Sequence, residues 1–469
     1  MRLILLTAAF IVLAFFLGFL SSQIPPATLI WGGVAFAIFS VSFINIEVGL
    51  YILIFSMLLS PEIAVGETQG GSLGRGVTLR LEDFLLVVIG FSWFARNAVH
   101  KELGLFLKTP LNRAILFYTL ACIIATGFGI MTGRVNAKTG FFFVVKYFEY
   151  FIVFFMMVNH VRNADQIKRF VFCLLLTCFV TAIIGMLQIT AGGRVSAPFE
   201  GQGGEPNTFG GYLLFMGAIA AGMLSTADRT RTKHLLAGFI IVIIPPFLFT
   251  LSRSSYLAFV PALITLGFLM QKRVIAVGLM VIALALTPVF LPFQIRERIK
   301  YTFTQRQHRD QIKIGNVRLD TSTSARIKGW KQAVADWTKH PVLGYGVTGY
   351  HFVDAQFPRV LVETGIFGFM AFLYLLFSIG KIALCNLRNI KSPYFKGLTI
   401  GFTAGFVGLL FHAIGANTFI IVRIMEPFWF FAGIITVIPL LEKKTAASSQ
   451  KTQTSPISPV PNSLTSIPK

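Results

Sequence analysis

Charge is what this sequence has least of. Asp, Glu, Lys and Arg make up 13% of its 469 residues, where a soluble domain carries roughly a quarter. The shortage is uneven, because long apolar runs alternate with short polar breaks, and that pattern excludes an ordinary soluble globular domain. The short alternating segments that build a membrane β-barrel are missing as well. Cysteine is scarce. Cys122, Cys173, Cys178 and Cys385 fall within apolar runs or in a polar loop, which leaves no disulfide scaffold and no metal site. Phosphate-cradling Gly-rich loops, dinucleotide fingerprints and zinc-ligand spacings are absent. So is a paired acidic motif for a metal-bound nucleotide-sugar. No cofactor and no metal are expected.

What is present is hydrophobic: 55% of the residues, with a mean hydropathy of +0.74. Spanning a bilayer core takes about 20 apolar residues in a helix. Candidate spans fall at roughly 3–20, 28–44, 47–60, 82–95, 114–131, 140–159, 170–190, 208–225, 235–251, 254–270, 274–292, 359–380, 398–416 and 419–441. The fold class expected is all-α, a polytopic integral membrane protein with about 12–14 spans. The first run follows a single Arg2 and lacks a small-residue cleavage site, so it reads as an uncleaved span.

The net charge of +22 invites a nucleic-acid reading, but basic residues also collect in the cytoplasmic loops of membrane proteins. Arg96, Lys101, Arg162, Lys168, Arg229, Lys272, Arg388 and Lys443 all fall in loops on one side under this span count, together with both termini. That side is expected to be cytoplasmic. The resulting division is 1–291 N-terminal spans, 292–358 a large basic periplasmic loop with short helices, 359–441 C-terminal spans, and 442–469 a disordered Ser/Thr/Pro/Lys-rich tail.

The large loop breaks the positive-inside trend, since long loops are translocated regardless of charge, and its excess of cations asks for an anionic ligand. Within it, 323–340 reads as an amphipathic helix with Ile327, Trp330, Val334 and Trp337 on the apolar face, resting on the membrane surface or on the bundle. Arg326 then falls in the first turn, beside free N–H groups. Arg253, in T-L-S-R-S-S, either snorkels at a span boundary or serves function. Arg194 opens another outward loop, as an interfacial anchor or a ligand. Three outward arginines near the membrane suit a diphosphate at the lipid surface. Lys146 with Glu149, and Arg423 with Glu426, share i,i+3 spacing inside spans and read either as structural ties or as functional intramembrane pairs.

Four stretches carry a resemblance. They are R-V-S-A-P-F with E-P-N-T-F-G-G-Y-L at 194–213, S-R-S-S-Y-L at 252–257, A-R-I-K-G-W-K-Q-A with H-P-V-L-G-Y-G at 325–346, and V-E-T-G-I-F-G-F at 362–369. In their order and spacing, over roughly residues 140–440, the chain resembles the O-antigen ligase and polymerase superfamily of bacterial surface-polysaccharide enzymes. The resemblance implies metal-independent glycosyl transfer on the outer face of the inner membrane, from a glycan on undecaprenyl diphosphate. Arginines matching Arg194, Arg253 and Arg326 would hold the diphosphate, and a base in the large loop would deprotonate the acceptor hydroxyl.

At the base the sequence departs from the ligases. Counting back from the G-x-x-G at Gly365–Gly368 lands on Asp354 in place of the ligase histidine, with His351 as the substitute if the register shifts. Asp354 reads either as that base or as a loop cap or salt-bridge partner for a nearby Arg. An acidic residue there favours a polymerase of repeat units. A ligase moving finished glycan to a lipid or protein is the alternative, and a lipid-linked saccharide transporter is a third. The partners expected are the undecaprenyl-diphosphate-linked saccharide, membrane lipids and, for a polymerase, a chain-length regulator and a flippase. Nucleic acid is not among them.

Overall fold

In the computed structural model the residues described are 26–64, 78–99, 108–199, 204–270, 313–314, 317–318 and 321–453. The expected spans at 3–20 and 274–292, most of the basic loop before residue 321, and residues 454–469 lie outside them.

Thirteen α-helices occur among the described residues: α1 (Pro26–Ile44), α2 (Ile46–Leu59), α3 (Leu81–Val99), α4 (Asn112–Met131), α5 (Ala137–His160), α6 (Ala164–Thr190), α7 (Pro206–Thr226), α8 (Thr230–Phe249), α9 (Arg253–Leu269), α10 (Thr321–Trp337), α11 (Gln356–Asn389), α12 (Pro393–Gly415) and α13 (Val422–Gln453). Eight of them, α4–α8 and α11–α13, are long and apolar enough to cross a membrane, and shorter apolar helices accompany them. The chain is a polytopic all-α membrane protein. Two short antiparallel ladders, Glu62–Ala64 with Thr78–Arg80 and Lys313–Ile314 with Val317–Arg318, are confined to loops.

The helices begin where the sequence supplies caps. Asn163 and Gln166 make a reciprocal capping box at the start of α6, satisfying two N–H groups that a helix start leaves open. Asn136 caps α5, and Pro206 and Pro393 stand in the first turns of α7 and α12, where their missing N–H costs nothing.

α13, α12 and α7 form the centre, with 83%, 78% and 72% of their spanning windows buried, whereas α8 has 22% and lies at the rim. Aromatic packing fills the centre: Phe215 of α7 meets Phe402 of α12 and Phe428 and Phe431 of α13. At Gly222 the backbones of α7 and α12 come so close that a Cβ would strike the backbone of Gly401. Small residues permit this approach, and in lipid such packing replaces the hydrophobic effect as the cohesive term.

The buried charges of the spans tie helices together. Lys146 of α5 stands 3.2 Å from Asp83 of α3. Arg423 of α13, fully buried, donates to the Pro198 and Ser60 carbonyls at 2.9 and 3.2 Å. The ties seen for these two cations run to elements distant in sequence and not along the i,i+3 spacing.

α13 and α10 depart from their expected ranges. α13 continues to Gln453, past Glu442 where the tail was expected to begin. α10 starts at Thr321, which puts Arg326 in its second turn instead of its first. Its buried face is also centred elsewhere. Ala333 is buried between Trp330 and Trp337 against Val353, Ala355 and Val362, while Val334 is 45% exposed. A 100° step per residue lets only one of two adjacent positions face the protein, and packing against Val353, Ala355 and Val362 selects Ala333.

Candidate functional site

The turn between α8 and α9 organises the first part of the site. Leu251 there adopts φ 51°, a left-handed conformation rarely taken by a branched side chain. It lets the chain reverse within a few residues and leaves open the carbonyls of Thr250 and Leu251, just past the end of α8. Arg194 fills them: Nε donates to Thr250 O at 3.1 Å and Nη2 to Leu251 O at 3.3 Å. A guanidinium at a helix C-terminus satisfies orphan carbonyls and sits favourably in the helix dipole. Ser252 caps α9 by accepting from Ser255 N. Arg253 follows, and its Nη1 donates to the Thr323 hydroxyl at 3.2 Å, linking α9 to the first turn of α10.

α10 then delivers Arg326 to Asp354. Nε and Nη2 both donate to Asp354 Oδ2, at 3.0 and 2.8 Å. The side chains retain 22% and 35% of their exposure, so solvent still reaches the pair. Behind it, Tyr350 donates to Asp336 Oδ2 at 2.6 Å and Lys339 to Oδ1 at 2.6 Å. The hydrogen bonds from Lys339 and Tyr350 hold the Asp336 carboxyl below its ordinary range. Burial, and then the Asp336 carboxylate, push the Tyr350 phenol up. His351 is exposed, with its ring 3.9 Å from that of Tyr350.

Two of the glycine motifs meet at a break in α11. Gly365 has φ 64° and ψ −168°, which interrupts the helix and frees carbonyls of the preceding turn. The H-P-V-L-G-Y-G loop takes them up. Tyr345 N donates to Val362 O at 3.0 Å, Gly346 N to Glu363 O at 2.8 Å, and Ile366 N reaches back to Pro341 O at 2.9 Å. Gly344, at φ 68°, lies against the same backbone, where a Cβ would come within 2.6 Å of Glu363 O. Just before the break, Arg359 and Glu363 form a buried ion pair at 3.1 Å. Glu363 thus bridges a basic residue at the mouth of the span, as its position suggests.

These elements enclose a cavity of about 350 Å³, within the size range of small-ligand sites. Arg194, Arg359 and Asp354 line it, together with Glu205, Asn207 and Asn417. Of the five residues singled out from the sequence, Arg194 and Asp354 line the cavity, Arg326 joins it through Asp354, and Arg253 joins through α10. His351 is not among the lining residues.

Residues 246–373 match the family described as O-antigen ligase. The match begins in the last turn of α8 and ends in α11 beyond the break, taking in Arg253, Arg326, Asp354 and Arg359. Over this stretch the chain is similar to the O-antigen ligase family. Among curated proteins no relative matches it. The matched stretch contributes α9, α10 and the start of α11 to the site, while Arg194, Asn207 and Asn417 come from flanking elements. Sequence reasoning passed over Arg359, Asn207 and Asn417 as ligands. The i,i+4 spacing of Arg359 and Glu363 was a readable signal, but nothing in the sequence marks which asparagines face a cavity.

Proposed function

We propose that this O-antigen ligase-type chain transfers a glycan from an undecaprenyl-diphosphate-linked donor on the periplasmic face of the inner membrane, polymerising repeat units of a surface polysaccharide. The observation that carries the reading is the Arg326–Asp354 ion pair at a cavity that Arg194 and Arg359 also line. Guanidinium groups match the planar, bidentate geometry of phosphate oxygens. In the proposed reaction the bond between the anomeric carbon and the diphosphate oxygen breaks. The acceptor hydroxyl forms the new glycosidic bond, and its proton passes to Asp354. Cationic side chains stabilise the charge that builds on the departing diphosphate, without a metal ion.

The ion pair gives the sequence of events a physical reason. Before the donor arrives, Asp354 Oδ2 is occupied by Arg326. A diphosphate offers Arg326 more negative charge than one carboxylate does, and drawing the guanidinium away leaves Oδ2 for the acceptor hydroxyl. The base then becomes available when the leaving group is seated.

The test is a reconstituted full-length protein given lipid-linked oligosaccharide, with no ATP and no ion gradient. Polymer should form, and Arg326→Ala or Asp354→Ala should stop it while membrane insertion persists. In cells, loss of a polymerase leaves single repeats on the carrier lipid, whereas loss of a ligase leaves long polymer there. Unchanged polymer yield in both variants would refute the reading.

A further inference from the structure

Asn207 and Asn417 line the cavity from opposite directions of the chain, and each is pinned by one end of its amide. At Asn417 the assignment is direct. Its Nδ2 donates to the Val353 carbonyl at 2.8 Å, and a carbonyl can only accept. Oδ1 therefore points away from that contact. It is buried and has no hydrogen-bond partner among the described residues. The residue is 7% exposed and lines the cavity, so an acceptor without a partner lies within the cavity wall.

At Asn207 a polarised chain of hydroxyls fixes the amide. Ser252 Oγ accepts from Ser255 N at 3.3 Å and from Ser255 Oγ at 2.8 Å, so its own proton goes to Asn207 Oδ1 at 2.7 Å. Ser255 Oγ lies 3.3 Å from His412 Nε2, and His412 Nδ1 lies 2.8 Å from Thr418 Oγ. With Thr418 donating to Nδ1, the proton of this buried imidazole sits on Nε2 and faces Ser255 and the Asn207 backbone, a tautomer assigned from the network. The chain thus runs in one sense from Thr418 through His412, Ser255 and Ser252 to Asn207 Oδ1, and leaves the Asn207 Nδ2 donors for the cavity.

We propose that Asn207 and Asn417 form a neutral subsite that binds a sugar hydroxyl of the acceptor saccharide, one amide offering N–H and the other C=O. A hydroxyl both donates and accepts, so the pair is complementary to it, whereas a diphosphate only accepts and goes to the arginines. Because Asn417 is tied to Val353, a sugar seated on it has its neighbouring hydroxyls beside Asp354, the next residue. His412 and the two serines are positioning residues, acting through Asn207. The proposal rests on the glycosyl-transfer reading above.

Asn207→Ala tests it by removing the cavity-facing donor without adding charge, with its melting temperature checked in detergent. Asn417→Ala is the second variant, with its melting temperature checked in detergent. Both are reconstituted at full length with lipid-linked oligosaccharide, and transfer to sugar is measured beside hydrolysis of the donor by water. Inorganic pyrophosphate binding is measured by calorimetry. The expected result is a loss of transfer of about 10–100-fold, the consequence of one unmade hydrogen bond in a buried site. Donor hydrolysis should persist, and pyrophosphate affinity should stay within about twofold. Transfer and hydrolysis falling together, or unchanged transfer, overturns the subsite while leaving polymerisation by the wild type intact. Absence of any transfer by the wild type overturns the parent reading and the subsite with it.

Discussion

Asp354→Asn should move binding and turnover in opposite directions. The asparagine keeps the shape of the side chain but removes the carboxylate that holds Arg326 at 2.8 and 3.0 Å. The pair is partly solvated, with 22% and 35% side-chain exposure, so its net strength is that of a solvent-screened ion pair, about 1 kcal/mol at most. A diphosphate entering the wild type must displace this carboxylate. In the variant it need not, and that difference corresponds to about fivefold tighter binding. Turnover should fall by about 10²–10⁴-fold, the usual contribution of a positioned base. The assay is pyrophosphate calorimetry on the purified full-length protein, set beside polymer formation by the reconstituted enzyme. Weaker pyrophosphate binding would show that Arg326 needs Asp354 to be held in place. Wild-type turnover would remove Asp354 from the chemistry. Either result refutes the reasoning.

Three further outcomes follow from the local geometry. Gly365→Ala places a Cβ against the Val342 carbonyl at φ 64°, which should cost about 2–5 kcal/mol from the left-handed backbone and overpacking together. The thermal midpoint of the purified protein reports it. Asn163→Ala removes the capping box at the start of α6 and should cost about 1 kcal/mol with unchanged polymer synthesis, because this end of α6 contributes nothing to the cavity. Burial, reinforced by the nearby Arg134 and Lys339 cations, holds His340 below its ordinary value of 6.5. The unfolded chain therefore takes up this proton first as pH falls. The contribution of His340 to stability is fully present above pH 6.5 and is lost as pH falls through and below that value. Melting temperatures at pH 7.5 and 5.5 should diverge less in His340→Gln than in the wild type.

The spans were legible because the bilayer imposes a one-dimensional rule, a run of apolar residues long enough to cross hydrocarbon. Such a run exists in the chain before any packing occurs. The glycine motifs were legible for a related reason. Gly344 and Gly365 occupy backbone conformations that other residues resist, so their identity is constrained locally. Face assignments fared less well. Val334 and Ala333 are neighbours with equal claim to an apolar face, and only packing against Val353, Ala355 and Val362 chose between them.

The partners of charged and amide groups were set by the tertiary fold alone. Arg194 was visible as an outward arginine, but its seat on the Thr250 and Leu251 carbonyls depends on a turn more than fifty residues later. Lys146 finds Asp83 on α3, a contact that spacing along α5 does not reveal. Asn207 and Asn417 resemble any other asparagines in the sequence, and the ends of their amides are sorted only when Ser252 and Val353 arrive beside them. Hydrophobic length is a property of a segment and survives in one dimension. A hydrogen bond is a relation between two atoms that the chain brings together, so it exists only after folding. The sequence by itself determined a polytopic helical membrane protein with the arginines, the aspartate and the motifs of the O-antigen ligase superfamily. Tertiary structure decided which of those residues share a cavity, and which atoms of each face it.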